Sequence, residues 1–137
     1  MDQSSLILVS ALGGAILIIV VVFLFVRKKN SFSDKDIRFF RDRFFRLEGI
    51  VNKDPRFVIL EADKLFDRAL GICGYEGSLA EKIRRAEKTF HDVQGIWRAH
   101  KLRNFVAHEV DATVSITDAR NALRAFKRAF RDLGIPL

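Results

Sequence analysis

Apolar residues after position 33 recur every three or four positions, in five stretches separated by polar or glycine-containing breaks. This spacing predicts amphipathic helices, each with one buried face. No hairpin signal, internal repeat or low-complexity tract interrupts the pattern. We therefore expect an all-α protein whose folded part is a small bundle of four to five helices.

The chain begins differently, because residues 6–26 are apolar or small and carry no charge. About 20 such residues in a helix cross the core of a bilayer. The basic run Arg27-Lys28-Lys29 follows on one side only, which places the C-terminal domain in the cytoplasm by the positive-inside rule. A cleaved signal peptide fits less well, since no basic residue precedes the run and no Ala-x-Ala site follows it. The pattern predicts one N-terminal transmembrane helix within residues 1–29, anchoring the protein in the cell membrane by a single pass.

Residues 30–52 form a juxtamembrane segment with a basic amphipathic pattern. Ser33 or Asp34 can cap a helix that runs to about Val51. Its apolar stripe alternates with arginines, and the stripe contains Ile37, Phe40, Phe44, Leu47 and Val51. Two interpretations follow: the helix lies on the inner leaflet of the membrane, or it packs on the bundle with its arginines in solvent.

Cap signals divide residues 53–137 into the remaining helices of the bundle. Asp54 and Pro55 suit a helix start, and Ser78 with Glu81 has the spacing of a capping box. Ser115 or Thr117 can cap the last helix. Three acidic residues in the first of these helices are expected to be solvated or paired with Lys and Arg: Glu61, Asp63 and Asp67.

The net charge of the chain indicates which class of binding partner to expect. After residue 26 the chain has 24 Lys and Arg against 16 Asp and Glu, a net charge of +8. This excess favours anionic partners, either nucleic acid or an anionic membrane surface. The single Cys73 excludes an internal disulfide and suits a reducing compartment.

The stretch from Trp97 to Glu109 contains the candidate chemistry. Wound as a helix at about 100° per residue, it directs one set of side chains to the core: Gly95, Ile96, Ala99, Leu102 and Val106. A second stripe contains Trp97, Lys101, Asn104 and His108, and Phe105 also points away from the core. Arg103 falls between the two faces. We expect the second stripe to meet a partner helix or a ligand.

Arg103, Asn104 and His108 have the order of a known motif: Arg, a polar residue, three further residues, then His. In this context they resemble the last-but-one helix of a HEPN domain, which is a small all-α bundle. Residues 59–67 are similar to the first core helix of that family. The resemblance covers roughly residues 55–135.

The resemblance implies two alternative functions. Many HEPN proteins are metal-independent endoribonucleases that act as homodimers with a composite site. In that case His108 would be the acid/base, Arg103 the phosphate clamp, and Asn104 would orient the imidazole or a phosphate oxygen. Many others are non-catalytic and bind nucleotides, nucleic acid or protein, which here would give a membrane-tethered assembly protein.

Trp97, His100 and Lys101 precede the motif on the same helix and are the expected contacts to nucleic acid. We expect no cofactor, because the chain has no glycine-rich phosphate loop. We also expect no metal, since no Cys lies near the histidines and no His pair has the spacing of common zinc sites.

Overall fold

The computed structural model describes residue 2, residues 10–22 and residues 32–137, and within these ranges all regular structure is helical. Residues 10–22 form α1. The helices that follow are α2 Asp34–Ile50, α3 Pro55–Ile72, α4 Leu79–Ala86, α5 Val93–His108 and α6 Ile116–Asp132, with a 3₁₀ turn at Glu87–Thr89. Two compact units divide the chain, Met1–Ser31 and Phe32–Leu137. The predicted all-α class and number of bundle helices are confirmed.

The predicted transmembrane segment lies only partly within the described residues. Residues 6–9 and 23–26, and the basic flank Arg27-Lys28-Lys29, fall outside them. Among the helices that are described, none has both the length and the apolar character needed to cross a bilayer.

Local hydrogen bonds start each bundle helix where the cap signals predict. Ser33 accepts a hydrogen bond from the backbone N–H of Asp36, whose carboxylate accepts from the Ser33 N–H in return. These hydrogen bonds to Ser33 lower the pKa of Asp36. Ser78 and Glu81 form the same reciprocal box at α4. Asp54 caps α3 and Ser115 caps α6.

A cluster of phenylalanine rings in tilted and edge-to-face contact forms the centre of the core. The Phe66 ring of α3 lies 5.3 Å from Phe126 and 5.8 Å from Phe130, both on α6. Phe130 in turn contacts Phe40 and Phe44 of α2 at 5.5 and 5.7 Å. The apolar stripe of α2 is therefore buried by the bundle, which supports the second of the two interpretations of this helix.

Helix α5 lies against α3 and α6, and both of its ends are fixed. At the start, the Asp92 carboxylate accepts a 2.8 Å hydrogen bond from the Gly95 N–H, which lowers the pKa of Asp92. At the end, Arg56 from the first turn of α3 donates to the carbonyl of Val106 at 2.9 Å, and more distantly to those of Glu109 and Val110. Carbonyls at a helix C-terminus have no partner within the helix, so Arg56 supplies one.

Candidate functional site

Asp63 of α3 is the centre of a buried polar cluster. Its side chain is nearly inaccessible, and its Oδ1 lies 2.9 Å from Nδ1 of His100. Its Oδ2 lies 3.2 Å from Nε of Arg103, an ion-pair distance without a well-aligned hydrogen bond. The expected pairing of Asp63 with an arginine is therefore confirmed. Of the two alternatives, solvation or pairing, only the pairing applies to Asp63, because His100 and Arg103 cover its side chain.

Asn104 completes the cluster, which we call the Asp63 network: Asp63, His100, Arg103 and Asn104. Nη1 of Arg103 donates to Oδ1 of Asn104 at 2.9 Å, and Nδ2 of Asn104 lies 3.3 Å from Nε2 of His100. An ionised carboxylate can only accept, so Nδ1 of His100 donates to Asp63. Nε2 is then the acceptor for the Asn104 amide. Both contacts of the imidazole then have a matched donor and acceptor in this tautomer, and Nε of Arg103 contributes an ion pair alone.

This placement changes the role expected of Asn104. Its amide faces Arg103 and His100, one turn earlier on α5, rather than His108. Side chains four residues apart in either direction are neighbours on a helix, so the spacing alone allowed both arrangements. The buried His100 is the partner that the Asn104 amide contacts.

His108 is the last residue of α5 and is exposed. Within the described part of the chain it makes no hydrogen bond or ion pair. It lies about 140° around the helix from Arg103, so the two side chains project in different directions. With half-buried Trp97 and exposed Lys101 and Phe105, it forms what we call the outer stripe, on the surface where the sequence placed it.

Arg103 remains partly accessible despite its contacts. Its side chain is 30% exposed, and among the described residues Nη2 has no hydrogen-bond partner. The Asp63 network borders a groove of about 400 Å³ whose opposite wall is formed by residues 77–80 at the start of α4. A fixed guanidinium with one open nitrogen beside a groove is suited to binding an anion such as a phosphate.

Two of the three residues expected to contact nucleic acid remain available. Lys101 is exposed and Trp97 is half-buried. His100 is buried and engaged by Asp63, which does not fit direct contact with nucleic acid. We assign His100 instead to positioning Arg103 and Asn104 through the network.

The sequence did not lead us to predict a groove with basic residues between α5 and α6. Arg98, Arg124 and Arg128 line this groove of about 710 Å³, together with small residues of both helices. Arg128 also forms an ion pair with Asp92, the cap of α5. Arg124 and Arg128 lie one turn apart on α6, which is a sequence signal that could have identified this face.

Among residues 10–22 and 32–137, no group of three or more His, Cys, Asp and Glu side chains is arranged to hold a metal ion. Comparisons of the chain with protein-family models, curated proteins and solved structures found no match.

Proposed function

We propose that this chain is a HEPN-like, metal-independent endoribonuclease that acts as a homodimer. The observation that carries the proposal is the arrangement on α5. An arginine is fixed by a buried carboxylate, and the same helix ends in an exposed imidazole. Among the described residues, neither Nη2 of Arg103 nor the His108 imidazole has a hydrogen-bond partner. These are the two groups that cleavage of RNA by its own hydroxyl requires.

The reaction joins the RNA 2′-oxygen to the adjacent phosphorus and breaks the bond from phosphorus to the 5′-oxygen. One proton leaves the 2′-hydroxyl and one is delivered to the departing 5′-oxygen. Histidine titrates near neutrality and can perform either transfer, which is the role proposed for His108. Arg103 stabilises the charge that develops on the phosphorane oxygens.

A homodimer is proposed because one copy of α5 presents these two groups on different sides. A second copy that contacts α5 on the side between these two residues, where Trp97 and Asn104 lie, would bring its own His108 toward Arg103 of the first. The exposed ring of Phe105 and the half-buried ring of Trp97 supply apolar surface for such a contact. Each dimer would then contain two composite sites.

The second candidate is a non-catalytic binding module, and the Asp63 network is the observation that favours it. Arg103 contacts both Asn104 and Asp63, and such contacts within the bundle are typical of residues that stabilise the fold. The arginine groove between α5 and α6 could still bind an anionic partner. A membrane-tethered assembly protein would need such a binding surface but no catalytic residue.

We further propose that residues 6–26 anchor the protein in the cell membrane with its bundle in the cytoplasm. The support is the uncharged run followed by Arg27-Lys28-Lys29. A cytoplasm-active reporter fused after Leu137 should be active, and a periplasm-active reporter at the same position inactive. Periplasmic activity, or a mature chain that lacks residues 1–26, would contradict this topology.

The function is tested by cleavage of end-labelled RNA by the full chain in nanodiscs of neutral lipid. We expect fragments ending in a 2′,3′-cyclic phosphate, formed at the same rate with and without EDTA. The rate at subsaturating RNA should fall steeply with salt, because phosphate contacts release counterions. Dependence on a divalent metal, or 3′-hydroxyl ends, would contradict the mechanism. RNA that is bound but not cut would favour the binding module.

A further inference from the structure

A second surface, which lies between α2 and α3 and reaches the edge of the core, has no role in the proposed reaction. Here α2 and α3 enclose a groove of about 700 Å³. Its lining is mainly apolar, with five large side chains: Phe39, Leu47, Ile50, Phe57 and Leu65. We call this surface the α2–α3 groove.

The rim of the α2–α3 groove is basic. Lys64 is paired with the only acidic residue of the lining, Glu61, at 2.7 Å. Three guanidiniums remain, those of Arg43, Arg46 and Arg68, and no acidic side chain of the described part lies within salt-bridge distance of them. The hydrogen bonds to Ser33 lower the pKa of Asp36, and this carboxyl is also near enough to Arg68 for the guanidinium to contribute to that lowering. Those of Arg68 and Arg43 lie over the Phe39 ring at 4.2 and 5.7 Å. These cation–π contacts place positive charge directly beside apolar surface.

The shape of the α2–α3 groove favours a ligand that inserts into it. Leu47 and Leu65 are buried at its floor, so they cannot themselves enter a bilayer. Phe57 at the edge is 44% exposed, whereas the most exposed aromatic ring of α2, Phe45, lies outside the lining. A flat lipid surface takes up protruding side chains. A recess between two helices instead accepts the apolar face of a third helix.

We propose that the α2–α3 groove docks an acidic amphipathic helix of a partner protein. Apolar side chains one turn apart on that helix fill the recess, and its flanking Glu or Asp side chains pair with Arg43, Arg46 and Arg68. The positive charge of the rim favours an acidic helix over a basic segment as the occupant of the groove. A second copy of this chain carries a net +8 after residue 26, and its own segment Arg27-Lys28-Lys29 is basic, so both are repelled.

Gly49 provides a test that leaves the fold intact. It lines the groove, and a Cβ built on it meets no atom within 4 Å. Leucine at this position therefore projects into open space at the groove, where its side chain should obstruct a docked helix. Because glycine disfavours the helical state, Gly49→Leu should keep or raise the thermal stability of the bundle. A loss of binding in this variant then reports occlusion rather than unfolding.

The probe is a fluorescent helical peptide of about five turns, with a leucine stripe flanked by glutamates. Fluorescence anisotropy measures its binding to the full chain in nanodiscs of neutral lipid, with empty discs as the blank. We expect Gly49→Leu and Arg46→Glu each to weaken binding by roughly tenfold or more. Arg41→Glu makes the same charge change on α2 outside the groove and should alter binding less than about twofold.

A matched peptide with lysine in place of glutamate should not bind. Equal binding of the two peptides, or wild-type affinity in Gly49→Leu, would overturn the proposal. So would failure of the acidic peptide to bind while anionic vesicles bind in a Gly49→Leu-sensitive manner, since that result assigns the groove to lipid.

Discussion

Replacing His108 with alanine should lower the rate of RNA cleavage by about 100-fold or more, the usual contribution of a general acid or base. The fold should be unchanged, because the His108 side chain is exposed and makes no hydrogen bond among the described residues. Single-turnover rates measure the first effect and thermal melts the second. His91→Ala is the matched control, since His91 is also exposed but pairs with Asp132 far from the outer stripe.

Mixing two inactive variants tests the composite site directly. In a heterodimer of Arg103→Ala and His108→Ala chains, one of the two sites receives both wild-type side chains. Cleavage should therefore recover in part when the chains are mixed and exchanged. Absence of recovery in a proven heterodimer would place the site within one chain. Cleavage that persists in His108→Ala alone would remove this residue from the mechanism.

Replacing Asp63 with alanine should lower the free energy of unfolding by about 3 kcal/mol, because His100 and Arg103 lose their common buried partner. Glu61→Ala is the control on the same helix. Its carboxylate pairs with Lys64, whose side chain is 64% exposed, so its removal should cost less than about 1 kcal/mol. Equal costs for the two variants in denaturant titrations would contradict a central role for Asp63.

The variant Asp63→Asn separates the contribution of Asp63 to the stability of the fold from its contribution to positioning Arg103. The amide oxygen can still accept from Nδ1 of His100, but the attraction for the Arg103 guanidinium is lost. We expect a smaller loss of stability than in Asp63→Ala, together with reduced cleavage. Unchanged cleavage in Asp63→Asn would show that the ion pair with Arg103 serves the fold alone.

Helix starts could be predicted because the forces that fix them are local. Ser33 and Ser78 each bond to residues three positions later, so the signal and its partner lie in one short segment. The environment of α2 could not be predicted in this way. An apolar stripe between arginines suits a membrane surface and a bundle equally. The deciding contact is with Phe130 of α6, which lies far along the chain.

The contacts of the Asp63 network in the candidate site could not be predicted either, because they also join distant parts of the chain. Asp63 lies between Ile59 and Phe66 on the buried face of α3, and an acidic residue at such a position indicates a buried partner. The pattern does not identify that partner, because His100 comes 37 residues later on another helix. Only the packing of α5 on α3 brings them together.

The contact of Arg56 with the last turn of α5 has a mechanical consequence. Arg56 holds the carbonyl of Val106, two residues before His108, and the next residue along α3, Phe57, forms an edge of the α2–α3 groove. One turn of helix therefore supports two separate surfaces. The first turn of α3 is therefore a short structural link between the groove and the end of α5.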